Sequence, residues 1–421
     1  MRVLVVGATG FIGRHLVTAL EAAGHAVIPA SRHPEASTRN ARRVDFSRLL
    51  RPEDWFDVLR DVDAVINVVG IFREDEHRTF QLMHVDAPCA LFSACLVCGV
   101  SRVVQISALG ADDAAASAYH TTKRAADKFL LGLPLAAVVM QPSLVFGPGG
   151  ASARMFSAWA ALPVVPVPGH GQQRIQPVYV DDAVDAIVAV LDDVRTAGKT
   201  VPLVGPEPLT LRDYLLALRA GLGLRRAAVW PVPMAIVRRI TRWAGRMTHG
   251  LVDEAAIDML ERGNTADTVA IEGLLGHAPR PVRRFYGEDA RPWRAWALTR
   301  WTLPLLRFSV SIVWIVTGIL SLGVFPADQS RALLARVGAE GGVATLLLYG
   351  AAATDLLLGV ATLLVPRCAA LWASQVALIV GYTALISWRL PEFWLHPFGP
   401  ILKNLPILAA IAVLWAMKDT R

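Results

Sequence analysis

Cysteine is scarce: Cys89, Cys95, Cys98 and Cys368 are the only four in 421 residues. That excludes a disulfide-stapled scaffold and fits a reducing compartment. Cys95 and Cys98 have a C-x-x-C spacing, but they fall at an expected helix, Leu91–Val97, with no second ligand pair nearby. We read them as small buried side chains and expect no metal. Charge is scarce too, at 18% of residues against 54% hydrophobic, with a mean hydropathy of +0.43. An ordinary soluble domain is more polar. No signal peptide is expected, since the first residues have neither a basic region nor a cleavage site. No nucleic-acid motif or aromatic-and-basic interleaving occurs, so the net charge of +7 is not read as a nucleic-acid footprint. Much of the arginine lies just before an apolar C-terminal part, where it reads as membrane-surface charge.

What is present begins at once. Val3-Leu4-Val5-Val6 runs into Gly7-Ala8-Thr9-Gly10-Phe11-Ile12-Gly13, and then into an amphipathic stretch with Leu16, Val17 and Leu20. Strand, glycine-rich turn and helix in that order form the opening unit of a dinucleotide-binding fold. The glycines let the backbone approach a pyrophosphate, and the helix N-terminus offers it N–H groups. Further strands are expected at Ala26–Ala30, Ala64–Val69, Val103–Ile106 and Leu135–Met140, alternating with helices. The class is α/β: a Rossmann-type, doubly wound parallel sheet with a small substrate subdomain.

The second strand bears on the cofactor. An acid about twenty positions after the glycines would hold a ribose 2′-hydroxyl. Here the strand ends Pro29-Ala30-Ser31-Arg32-His33. Ser31 can hydrogen-bond a 2′-phosphate and Arg32 can pair with it, so NADP(H) is favoured over NAD(H). A solvated loop arginine is the alternative. Asp45 reads as the acid at the adenine edge. Asn67 and Gly70 mark the turn past the cofactor, or Asn67 only ends a strand.

Ser107 closes the strand Val103–Ile106, facing the ligand crevice of such a sheet. Tyr119 and Lys123 follow, four residues apart and hence on one helical face. The ammonium is expected to lower the tyrosine pKa, and the phenol to exchange a proton with a substrate oxygen that Ser107 also binds.

With these residues in place, the chain resembles the short-chain dehydrogenase/reductase superfamily, in its extended or atypical branch. Gly7, Gly10 and Gly13 match its glycine pattern, and Ser107, Tyr119 and Lys123 its active-site set. Four further stretches are Val65–Ile71, Ile106–Ala111, Gln176–Asp182 and Met259–Asn264. They are similar to bacterial relatives of the nucleotide-binding accessory subunit of respiratory complex I. The resemblance implies that Pro142 and Val145 line the nicotinamide side. It makes Arg154, Gln173, Arg174 and Tyr179 pocket candidates. Asp181-Asp182 is expected to N-cap a helix Ala183–Leu191, and Gly205-Pro206-Glu207 with Thr210 to form a turn and cap.

Three domains are expected: 1–290 for the dinucleotide unit, 291–302 as a basic, Trp-bearing linker, and 303–421 as four transmembrane helices. The spans fall at about 305–327, 343–365, 368–389 and 398–417. Phe308–Ala327 and Cys368–Trp388 hold no charge, Val343–Val365 only Asp355, and Phe398–Met417 only Lys403. Asp355 and Lys403 are expected to pair or to build a polar site. Arg280, Arg283, Arg284, Arg291, Arg294 and Arg300 precede the first span, and Arg367, Lys418 and Arg421 lie on the same expected side. The positive-inside rule puts the N-terminal domain and the C-terminus in the cytoplasm, at an inner membrane. Arg389 is an exception expected to snorkel. The motif Leu390–Pro400 with Leu402–Ile407 resembles the DoxX-like membrane family.

Two functions fit. One is a membrane-anchored NAD(P)-dependent oxidoreductase or epimerase acting on a lipophilic carbonyl, hydroxyl or quinone. The other is a non-catalytic NADPH-binding assembly or redox-sensing module of a membrane complex. Substrate and oligomeric state are not legible.

Overall fold

The structure, a computed structural model, describes residues 1–34, 40–247, 254–397 and 399–419. It divides into two units, Met1–Ala297 and Leu298–Arg421.

The first unit is built on a seven-stranded sheet. Its order is Lys199–Leu203, Ala137–Pro142, Arg102–Ile106, Ala64–Asn67, Arg2–Val6, Ala26–Ser31, Arg42–Arg43, and every pairing is parallel. Strands covered on both faces must be apolar on both. Accordingly Val3, Leu4, Val5 and Val6 are all buried, as are Val103, Val104, Val138 and Val139. Leu4, Trp55, Leu91, Phe92 and Leu130 fill the core on one side. Arg2–Val6 pairs with the second strand on one flank and with Ala64–Asn67 on the other, so the winding reverses there. Ligands of open parallel sheets bind beyond the strand ends at that point.

The fourth strand stops at Asn67 rather than Val69, because the Asn67 side chain accepts the Val69 N–H (3.1 Å) and turns the chain. The helix expected from Ala183 begins at Val180, with Tyr179 as its N-cap residue. Asp181 and Asp182 therefore lie in its first turn and do not cap it. Asp182 accepts the Arg280 N–H (2.6 Å) and Asp181 pairs with Arg280 and His15. Thr210 does cap its helix, accepting from Asp213 N (3.0 Å). Cys95 is buried as expected, but Cys98 is exposed where its helix ends.

The second unit is helical. Among the described residues three helices are long and apolar enough to cross a membrane: Arg291–Val324, counting its terminal π turn, Gly341–Leu364 and Ala369–Arg389. The expected linker 291–302 is thus the start of the first of these helices. Trp314, Trp372, Ile379 and Ile411 form the unit's core. Trp314 Nε1 donates to Gln375 (2.9 Å), which donates to Thr362 (2.9 Å). Small residues set the contacts: a Cβ on Gly359 would lie 2.5 Å from Ile315. Leu346, Leu357 and Leu364, each over 70% exposed, face outward, as lipid contact requires.

The expected fourth span is corrected. Its helix is Asn404–Ala416, 13 residues and about 20 Å long, against a bilayer core of about 30 Å. Pro397 and Pro400 precede it in turns, and Lys403 is its N-cap residue. Phe398 and Arg421 lie outside the described residues. The count of four crossings that placed the C-terminus is therefore not carried over. Nor do Asp355 and Lys403 pair: Lys403 is exposed, and Asp355 Oδ1 is buried without a hydrogen-bond partner. Arg389 lies over the Trp388 ring, 4.6 Å from its centroid.

Candidate active site

The glycine turn sits at the end of the central strand. Gly7 has φ +90°, a conformation that excludes most side chains. A Cβ on Gly13 would lie 2.3 Å from Gly7 O, so only glycine lets the helix Phe11–Ala22 close on the turn. A Cβ on Gly10 would meet only Gly7 O, at 3.1 Å, and otherwise open space. Gly10 precedes the helix, whose first N–H groups have no partner within it. An open, backbone-lined cradle of this kind fits a pyrophosphate. Phe11 lies against Gly147 and Gly150, and His15 Nε2 is 3.1 Å from Pro148 O, which holds that loop beside the turn. Thr9 O accepts from Arg14 (3.0 Å), and Ile12 is half-buried.

Ser31 is buried at its strand end and Arg32 is exposed beyond it. Asp45 bonds the Ser47 hydroxyl (2.7 Å), which holds its carboxyl below the ordinary range, and the charges of Arg48 and Arg32 add to this. Asn67 is fully buried, with its amide divided between Gln105 (2.8 Å) and Val69 N, so it shapes the turn. A Cβ on Gly70 would lie 3.2 Å from Lys123 Nζ, so the glycine admits the lysine. Pro142 and Val145 flank the next turn, with Pro142 O accepting from Leu109 (3.0 Å).

Ser117 caps the helix Ala118–Leu131, which carries Tyr119 and Lys123. Lys123 Nζ donates to Val69 O and Ile106 O, each at 3.1 Å, so it ties the turn after one strand to the end of its neighbour. Ser107 donates to Asp127, which lies one further turn along the same helix face. Tyr119 is buried among aromatic rings: Phe72 stacks on it at 5.2 Å, and the edges of His84, His120 and Phe80 surround it at 5.4, 5.3 and 6.0 Å.

The electrostatics depart from expectation. Tyr119 is pushed up, not down, first by burial and then by the Asp127 charge. Lys123 does not bond the phenol, and burial lowers its own pKa to about 8. Burial raises the Asp127 carboxyl to about 6, against the pull of its Ser107 hydrogen bond and the Lys123 charge.

Sequence reasoning missed Asp127 and His84. Asp127 continues the four-residue spacing of Tyr119 and Lys123, a signal that was available. His84 lies in a π turn, Gln81–Asp86, a distortion that often marks working sites. Its Nε2 accepts the Ile71 N–H (3.1 Å) and its Nδ1 meets Thr122 Oγ1 (3.1 Å), tying the loop at Ile71 to the tyrosine helix. Arg262, in the Met259–Asn264 stretch, donates to Gly110 O (2.7 Å) and pairs with Asp112, anchoring the loop after Ser107.

The pocket candidates fare unevenly. Tyr179 is buried beneath the Arg280 guanidinium (3.9 Å) and is a core residue. Gln173 donates to Pro168 O (3.2 Å), Arg174 O accepts from Asn264 (2.9 Å), and Arg154 is exposed.

Comparison with known proteins bears on the fold and on the two domains. Residues 3–203 match the NAD dependent epimerase/dehydratase family, and residues 311–412 the DoxX-like family. The chain is 33% identical over 225 residues to NADH dehydrogenase (ubiquinone) 1 alpha subcomplex subunit 9, mitochondrial, of Arabidopsis thaliana. That match covers 50% of this chain and 55% of the plant protein, little more than half its length. It is 28% identical over 212 residues to the ceramide reductase of Caulobacter vibrioides, covering 47% of this chain and 66% of that one. Among solved structures, MoeE5 in complex with UDP-glucose and NAD superposes with a TM-score of 0.54 at 22% identity. It covers 71% of this chain and 100% of the other, a likeness of fold.

Proposed function

From a chain that joins an NAD-dependent epimerase/dehydratase domain to a DoxX-like membrane domain, we propose a membrane-anchored, NADP(H)-preferring reductase of a lipophilic carbonyl compound. The observation that carries this reading is that the helix of Tyr119 and Lys123 is tied to the strand end that carries Ser107, next to the reversal point of the sheet. Lys123 bonds the carbonyl of the residue just before Ser107. A bound nicotinamide dinucleotide would supply the hydride. Gly7 and Gly10 would hold its pyrophosphate, with Gly13 letting the helix close on the turn, and Ser31 and Arg32 would meet a 2′-phosphate. Tyr119 Oη gives a proton to the substrate oxygen, and Ser107 Oγ hydrogen-bonds the same oxygen. Burial keeps the phenol protonated at neutral pH, which suits donation and hence reduction. Phe72, 71% exposed and stacked on Tyr119, covers the phenol ring and must give way to an arriving substrate. Support for a lipophilic substrate comes from the helices long and apolar enough to span a bilayer and from the likeness to a ceramide reductase. The arginine cluster at 280–300 favours a cytoplasmic N-terminal unit at the inner membrane.

The test is NADPH consumption by the full chain in nanodiscs, with long-chain carbonyl compounds and quinones as substrates. Tyr119→Phe is expected to lower kcat by about a hundredfold or more while leaving NADPH affinity unchanged. Equal turnover by parent and variant defeats the reading.

One observation favours a second reading, a non-catalytic NADPH-binding module: Tyr119 is buried beneath Phe72 while Ser107 is engaged by Asp127. Tight NADPH binding with no turnover of any carbonyl supports that alternative.

A further inference from the structure

The strand Ala228–Val232 and the helix Met234–Met247 carry an apolar surface that the active site does not use. Trp230 is 66% exposed, Ile236 49% and Ile240 57%. Ile236 and Ile240 are four residues apart and so share one face of the helix. The other side of the helix is held. Arg238 donates to Asp258 (2.9 Å) and Glu261 (2.6 Å) on the helix Glu254–Arg262, and Met234 lies against Gly169. Arg239 and Arg242 are exposed on the arc between the two sides.

The same strand borders a cleft of about 990 Å³. Its polar lining is His170, Gln172, Arg212, Arg219 and Arg226, with no carboxylate. Ala228, Val229 and Pro231 of that strand line the cleft, and Trp230 stands exposed beside them. Aliphatic side chains on one helix face with flanking arginines are the composition of a helix that lies in a membrane interface, and the strand just before this helix adds an exposed tryptophan. A bilayer is within reach, because this chain carries its own apolar helices of spanning length.

We propose that this face of the N-terminal unit rests on an anionic phospholipid bilayer. Trp230, Ile236 and Ile240 enter the interface, while Arg212, Arg226 and Arg239 meet lipid phosphates. The surface is independent of the redox reading, since it holds whether or not Tyr119 turns over a substrate.

The test uses the full chain in vesicles of phosphatidylcholine with phosphatidylglycerol. An environment-sensitive fluorophore is placed at Ile240→Cys or Trp230→Cys, with Asp57→Cys as an exposed reference. The background carries Cys89→Ser, Cys98→Ser and Cys368→Ser, and each variant is first matched to the parent in melting temperature. At both interface positions, doxyl-labelled lipid is expected to quench at least about twofold more than at the reference, with reduced access to iodide. The lipid quenching falls toward the reference in pure phosphatidylcholine, or after Arg226→Glu with Arg239→Glu. Iodide quenching equal to the reference in both lipid compositions overturns the proposal. Shielding from iodide and doxyl lipid alike also overturns it, because the cover is then protein. Equal lipid quenching in both compositions overturns its anionic part.

Discussion

Ser107 donates its hydroxyl to Asp127, two helical turns beyond Tyr119, so the serine of the site is oriented by a buried carboxylate. The protonation of Asp127 decides what Ser107 can offer. An ionised Asp127 takes the serine proton into its hydrogen bond, and the serine oxygen then presents only lone pairs. A protonated Asp127 donates to that oxygen instead and frees the hydroxyl to donate to a carbonyl. Burial raises this carboxyl to about 6. Carbonyl reduction is therefore expected to quicken as pH falls through about 6. Asp127→Asn should flatten that limb of the kcat profile without changing dinucleotide affinity. An unchanged limb in the variant shows that another group titrates there.

His84 makes the fold sensitive to acid. Burial, and then the nearby Lys123 charge, lower its pKa from 6.5 to about 3. Between those values the unfolded chain binds the proton and the folded chain does not. Stability from this group is thus present above about 6.5 and lost as pH falls toward about 3. From pH 7 to pH 5 the loss is on the order of 2 kcal/mol. His84→Phe is expected to be less stable than the parent at pH 7 by about 1–3 kcal/mol, since Ile71 N–H loses its acceptor. The gap should narrow at pH 5, because the variant has no imidazole to protonate. Thermal unfolding of the detergent-solubilised chain at both pH values checks this, and a constant gap refutes it.

The parts of the site legible in the sequence are those set by local spacing. Gly7 to Gly13 follow a strand directly, and Tyr119 and Lys123 are one helical turn apart. Residues defined by contacts between distant segments were not legible. His84 matters because the chain brings Ile71 and Thr122 to its two ring nitrogens. The direction of the Tyr119 shift was misjudged because neither its burial nor the cover supplied by Phe72 can be read from a Y-x-x-x-K spacing. In the second unit the apolar run around Lys403 was long enough to span, but its prolines confine the helix to Asn404–Ala416.

Arg32 is exposed at the end of the strand Ala26–Ser31, where no acid stands. If it meets a 2′-phosphate, Arg32→Ala removes a charge-assisted contact that NADH never makes. NADPH affinity is expected to fall by about tenfold or more while NADH affinity stays the same. Equilibrium titration by nicotinamide fluorescence distinguishes the two. A parallel loss for both dinucleotides rules out the 2′-phosphate as its partner.

Gly10 and Gly13 separate binding from folding. A Cβ at Gly13 meets Gly7 O at 2.3 Å and Ala8 at 2.9 Å, so Gly13→Ala forces the helix off the turn. Overpacking of this kind typically destabilises by about 1–3 kcal/mol. A Cβ at Gly10 meets only Gly7 O, at 3.1 Å, and otherwise fills the space over the helix N-terminus where a pyrophosphate would lie. Gly10→Ala is thus expected to melt within a degree or two of the parent yet bind NADPH at least about tenfold more weakly. Gly13→Ala should lose both properties together. If Gly10→Ala binds NADPH as tightly as the parent, the dinucleotide does not lie over this turn, and the glycines serve only to pack the first helix against the sheet.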